Sequence, residues 1–162
     1  IEALLDTLVP RGGGDRPIVL MAGVTGFAAI KAIVEHLLDR HTHRALHIYW
    51  GARHVSDLYL EALCRDWQAR HANLRYTPVL SEASDLERNL YRSGPVHEAV
   101  LKDFTDLSRF DVYMSGPPPM IEAGRRAFVA AGLPEDRLYY DSFDYAPDVL
   151  AALIRARSMA PG

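Results

Sequence analysis

The chain has 162 residues, of which 49% are hydrophobic and 24% charged, amounts that suit one globular domain with a sizeable core. A net charge of −3, from 18 basic and 21 acidic residues, and the scattering of the positive charges argue against nucleic acid as the main partner. Cys64 is the single cysteine, which excludes an intrachain disulfide, a cysteine-built zinc site and an iron–sulfur cluster held by four thiolates within the chain.

Residues Ile1 to Val9, with Leu4, Leu5 and Leu8, form a short amphipathic helix at most, and the glycine run after Pro10 reads as a flexible linker. The expected division is therefore a segment and linker over 1–15, one compact domain over 16–147, and a tail over 148–162. Ile18 to Ala22 is an unalternated apolar run, as in a parallel strand covered on both faces. Gly23-Val24-Thr25-Gly26 then turns the chain, and Phe27, Ile30, Ile33, Val34 and Leu37 recur on one helical face. Two glycines three apart allow positive φ and leave no Cβ in a ligand's way, and the free N–H groups of the helix's first turn favour a phosphate. A second reading stays open, in which the glycines only let strand and helix pack closely; neither G-x-G-x-x-G nor G-x-x-x-x-G-K-[ST] is present.

Arg40 to Arg44 is a polar break before a second strand, Ala45 to Trp50, ending at Gly51. His36, His41, His43 and His47 straddle a helix end, a loop and a strand, so they read as solvated histidines and no metal site is expected. Ser56 or Asp57 starts the next helix, whose apolar side carries Leu58, Leu60, Leu63 and Trp67; Cys64 in this pattern reads as a small buried hydrophobe. Leu74 to Leu80 is a third strand, and Pro78 assigns it to the rim of the sheet. Ser81 to Pro95 is irregular and polar, Val96 to Leu101 begins a short helix, and Phe110 to Met114 is a fourth strand. Ser115-Gly116-Pro117-Pro118-Pro119-Met120 opens a helix that Gly132 ends, and Leu138 to Tyr140 is a fifth strand.

The alternation predicts a three-layer, doubly wound α/β fold with a five-stranded parallel sheet and helices on both faces. Ligands of such sheets sit outside the carboxyl ends of the strands. Here those ends are Gly23 to Gly26, Gly51 to Arg53, Ser81 to Glu82, Ser115 to Met120 and Asp141 to Tyr145. No apolar run approaches the length of a membrane span, and no basic stretch followed by an apolar one opens the chain, so a cytoplasmic protein is the default expectation.

AGVTGFAAIKAI, YWGAR with DLYL, RYTPVLSE, DVYMSGPPPMI and LYYDSFDYA follow one another in this order. Together they resemble the pyridine-nucleotide domain of the ferredoxin–NADP reductase superfamily, in particular the NADH-dependent reductases of bacterial oxygenases and the CDP-6-deoxy-glucoseen reductases. The resemblance covers about Arg16 to Pro147 and implies a Rossmann-like sheet in the order 3-2-1-4-5. It implies that Gly23, Thr25 and Gly26 cradle the pyrophosphate, that Gly51 and Arg53 lie beside the adenosine half, and that Ser115, Gly116 and Pro117, in the run to Met120, hold the nicotinamide near the flavin. Phe143 matches the aromatic that lies by the isoalloxazine. Bland readings stand beside these: Arg53 as a surface cation, Ser115 as a helix N-cap, Phe143 as core.

The resemblance further implies that the 2′ position of the ribose is read after the third strand, at Ser81 and Glu82. A carboxylate there accepts bonds from ribose hydroxyls and repels a 2′-phosphate, so NADH is expected over NADPH. The implied chemistry is transfer of hydride from NADH to FAD, and of electrons onward to a [2Fe-2S] centre elsewhere and then to an oxygenase or a deoxysugar dehydratase. The motifs of a flavin domain and the cysteines of a cluster domain are not found in the chain, which is therefore expected to be the nucleotide-binding part of the enzyme and inactive alone. Three single-position departures stand out, one being Ser115 where many members have cysteine. Val24 replaces the usual second glycine, where a β-branched residue at positive φ would be strained, and Ala29 replaces a frequent proline. A strained loop would favour the alternative of a non-catalytic nucleotide-binding or docking domain.

Overall fold

A computed structural model describes residues 15–142. Phe143 and the proposed tail and linker lie outside the described residues. Six parallel strands form one sheet: β1 (Ile18–Ala22), β2 (Leu46–Ala52), β3 (Leu74–Leu80), β4 (Arg92–Ser93), β5 (Asp111–Gly116) and β6 (Leu138–Ser142), in the spatial order 4-3-2-1-5-6. The helices are α1 (Phe27–Asp39), α2 (Glu61–Arg70), α3 (Asp85–Arg88), α4 (Val96–Asp103) and α5 (Pro118–Ala130).

All five residues of β1 are buried because the strand has a hydrophobic layer on each side. Ile18, Leu20 and Ala22 join Phe27, Ile30, Ile33, Val34 and Leu37 of α1 and Cys64 and Trp67 of α2 in one core. Val19 and Met21 face the other, with Val96, Ala99 and Val100 of α4 and Ile121 and Phe128 of α5. This is why the run shows no alternation.

The five-stranded order 3-2-1-4-5 expected from the sequence is corrected to six strands. The addition is Arg92–Ser93, which pairs only with Val79 and Leu80. Two residues are too short for any periodicity to mark them. β3 is therefore a rim strand from Leu74 to Pro78 alone, and Pro78 stands just short of the segment that gains an outer partner. The irregular stretch also contains α3, begun by Ser84, whose Oγ accepts from Glu87 N at 3.2 Å. Ser56 and Asp57 form a single 3-10 turn, and α2 starts only at Glu61.

At the amino ends of the strands, Arg44 and Asp111 are buried and bonded to each other. Arg44 Nε donates to the carbonyl of Arg16 at 2.7 Å, and Arg137 lies 3.6 Å from Asp111 Oδ1. The polar break is thus not wholly solvated. His47 likewise departs from the solvated reading: it packs against Phe104 with ring centroids 4.8 Å apart, and burial holds its pKa below the ordinary value. Cys64 is fully buried, and burial pushes its thiol up, which makes it inert as a nucleophile.

Candidate functional site

The carboxyl ends of β1, β2, β3 and β5 form one rim. Between β1 and α1, Gly23 N donates to the Ser115 carbonyl at 3.0 Å and Gly26 N closes the turn on the Gly23 carbonyl at 3.1 Å. The loop after β1 is thereby tied to the end of β5. α1 begins at Phe27 with no acidic residue in its first turn, and Phe27 stacks on Trp50 of β2 at a centroid distance of 4.0 Å. Among the described residues the amides of Val24 and Thr25 donate to no other group, and both residues are partly exposed. Free amides beside a helix start without carboxylates fit a bound phosphate.

The glycines of this loop serve close approach rather than unusual dihedrals. Gly26 has φ −71°, and a Cβ built on it would lie 1.9 Å from the Ser115 carbonyl oxygen. Val24 is not among the described residues with positive φ, and its side chain packs against the core. The strain expected there is corrected: the turn runs through conformations open to any L-residue. Val24→Gly is accordingly expected to bind NADH no more tightly, and to lose about 1–2 kcal/mol of stability through lost packing and a freer unfolded chain. Parallel denaturant unfolding and titration check this, and a glycine variant that bound more tightly would restore the strained loop.

At the end of β5, Ser115 is fully buried and its Oγ has no hydrogen-bond partner. The N-cap of α5 is Pro117, without a side-chain cap, so the reading of Ser115 as N-cap is corrected; it belongs to the strand. Pro117, Pro118 and Pro119 are exposed, and Met120 covers the glycine backbones of both loops: Cβ atoms built on Gly116 and Gly23 would meet its Cε at 2.5 Å and its Sδ at 3.3 Å. Opposite Ser115 in register stands Asp141, whose Oδ2 accepts from the Tyr113 hydroxyl at 2.9 Å.

The other half of the rim joins the loops after β2 and β3. Ser81 N donates to the Ala52 carbonyl at 2.8 Å and Glu82 N to the Arg53 carbonyl at 3.2 Å, which extends the strand pairing outward and sets Arg53 beside Glu82. Both side chains are exposed. Gly51 is spoken for by packing, since a Cβ there would lie 2.8 Å from Val96 Cβ of α4. Sequence reasoning missed three residues that hold these loops. Glu87 Oε2 accepts from Val55 N at 3.0 Å, which ties α3 to the loop after β2. Glu61 of α2 accepts from the Tyr76 and Tyr91 hydroxyls at 2.8 and 2.6 Å, tying the far end of the stretch after β3 to α2 and to β3 itself. His54 lies between Glu82 and Glu87. A capping-box pattern, Ser84 to Glu87, was the one signal available for them.

A model of the oxidoreductase NAD-binding domain matches residues 20–126. The protein RfbI of Salmonella typhimurium is 43% identical over 129 residues, 80% of this chain and 38% of its own length. The CDP-6-deoxy-L-threo-D-glycero-4-hexulose-3-dehydrase reductase of Yersinia pestis is 41% identical over 127 residues, 78% of this chain and 38% of its own. Among solved structures, the cytochrome P450 reductase GcoB of Amycolatopsis superposes with a TM-score of 0.76 at 31% identity, over 83% of this chain and 39% of that one. The chain spans about two fifths of the length of these relatives. With the family model over most of the sheet and its rim, this chain belongs to the oxidoreductase NAD-binding domain family.

Proposed function

We propose that the chain holds NADH for an NAD(P)H-dependent flavoprotein reductase of the cytoplasm, in which FAD is carried by a flavin domain and electrons pass through a [2Fe-2S] centre elsewhere to an oxygenase or a deoxysugar dehydratase. The observation that carries the reading is the bond from Gly23 N to the Ser115 carbonyl, which joins the two loops such a cofactor needs into one floor at the rim. The names of the Yersinia reductase and the Amycolatopsis P450 reductase support the class of acceptor.

In this reading the turn shaped by Gly23, Thr25 and Gly26 cradles the pyrophosphate, with the free amides of Val24 and Thr25 as its donors. Gly51 shapes the adenosine end of the rim and Arg53 faces it, while Ser81 and Glu82 meet the ribose. Ser115, Gly116, Pro117 and Met120 form the nicotinamide end, and Phe143 meets the flavin. The hydride chemistry is that of nicotinamide and flavin when bound. The chain itself binds, orients and excludes water, and none of its acids or bases is required to move a proton.

One of the features that favoured the docking alternative, a strained turn at Val24, is absent. Calorimetric titration with NADH and NADPH tests the reading. NADH is expected to bind more tightly, and Glu82→Lys to shift the ratio toward NADPH by about tenfold, because the repelling carboxylate becomes a phosphate partner. Equal affinities in the unaltered chain would remove the choice of NADH, and binding of neither would remove the nucleotide site.

A further inference from the structure

His54 stands between two carboxylates of unequal freedom. Its Nδ1 is 3.9 Å from Glu87 Oε1 and its Nε2 is 3.6 Å from Glu82 Oε2. Glu87 is fixed: besides Val55 N at 3.0 Å, it accepts from Ser84 N at 3.0 Å, and these backbone donors hold its carboxyl below the usual range. Glu82 makes no such bonds through its carboxylate, and its side chain is 59% exposed at the rim. The remaining charges around the imidazole are few. Asp57 accepts from His54 N at 3.3 Å on the same turn, Arg53 precedes it in the chain, and Asp85 and Arg88 of α3 pair with each other at 3.8 Å.

We propose that His54 is a specificity-determining residue whose protonation sets how strongly Glu82 distinguishes a ribose 2′-hydroxyl from a 2′-phosphate. This rests on the reading above that Glu82 meets the ribose. A neutral imidazole leaves Glu82 its full charge, and a 2′-phosphate is repelled. A protonated imidazole is a cation held by Glu87 beside Glu82; it offsets that charge and adds an N–H donor for the phosphate. Discrimination is therefore expected to be weaker at about pH 5.5 than at about pH 8. Because the groups are solvent-exposed, the change is about threefold and shrinks as salt is added.

The test uses the 162-residue chain, with ADP-ribose and 2′-phospho-ADP-ribose as probes that lack the acid-labile reduced ring. Their affinity ratio is measured by calorimetry at the two pH values for the unaltered chain, His54→Gln and His54→Lys. A 2′-phosphate itself titrates near pH 6, so the quantity read is the ratio relative to His54→Gln at the same pH, in which that titration cancels. The unaltered chain is expected to match His54→Gln at the high pH and to move about threefold toward His54→Lys at the low one. A merely structural histidine would alter both probes together, without opposite signs for Gln and Lys. Equal ratios in the unaltered chain and His54→Gln at both pH values, with ADP-ribose still bound, would overturn the inference and leave the nucleotide site standing. Failure of every variant to bind ADP-ribose or NADH would overturn both.

Discussion

Replacing Asp111 by alanine is expected to cost about 3–5 kcal/mol of folding stability, the cost of removing one member of a buried ion pair. Asp111 is 2% exposed and Arg44 5%. In the variant the Arg44 guanidinium would remain in the interior with the Arg16 carbonyl as acceptor and with Arg137 facing the same vacated space. Against a typical stability of about 5–15 kcal/mol this is a large fraction, so the midpoint of urea unfolding should fall steeply with little change in slope. The double variant Arg44→Met with Asp111→Leu removes both charges while keeping their volume, and is expected to recover most of the loss. A fall of less than 1 kcal/mol in Asp111→Ala, or a double variant no better than the single one, would mean that water reaches the pair. The cluster lies at the amino ends of the strands, opposite the rim, so the affinity of the folded fraction for NADH should not change.

That pair also shows where the sequence stops being informative. Arg44 closes a run of arginines and histidines that looks like a solvated loop, and its partner is 67 positions away. Only the sheet, which sets β1 between β2 and β5, brings the two strand starts together. Strand β1 was legible for the opposite reason, because burial on both faces writes itself as an unbroken apolar run. The strand ends of the rim were legible too, since the motifs at the ends of β1, β2, β3 and β5 follow one another in fixed order. The rim's construction was not. Glu87, Glu61 and His54 are polar residues in polar stretches, and what sets them apart is the partner each finds across a loop. Val24 was misread because the family's usual glycine suggests a backbone demand, whereas the demand in this turn falls on Gly26 and is one of space.

Gly26→Ala should therefore be the most damaging single methyl in the candidate site. Its Cβ would lie 1.9 Å from the Ser115 carbonyl oxygen and 2.4 Å from the carbonyl carbon, contacts with backbone that cannot rotate away. Either the turn lifts or the end of β5 shifts, and both break the bond from Gly23 N to the same carbonyl. Overpacking of this kind costs about 3 kcal/mol or more, and the amides that would face the pyrophosphate lose their alignment, so NADH affinity is expected to fall at least about tenfold. Gly51→Ala is the informative comparison, because its Cβ would meet the Val96 side chain at 2.8 Å. A side chain on α4 can yield where a strand carbonyl cannot, so its cost is expected to be smaller, about 1–2 kcal/mol, with a correspondingly smaller effect on binding. Equal losses in the two variants would show that the loops move freely against each other, and an unchanged NADH affinity in a folded Gly26→Ala would detach the pyrophosphate site from this turn. The expected order follows from geometry alone: one glycine touches the strand that closes the floor of the site, and the other touches a helix that covers the opposite face of the sheet.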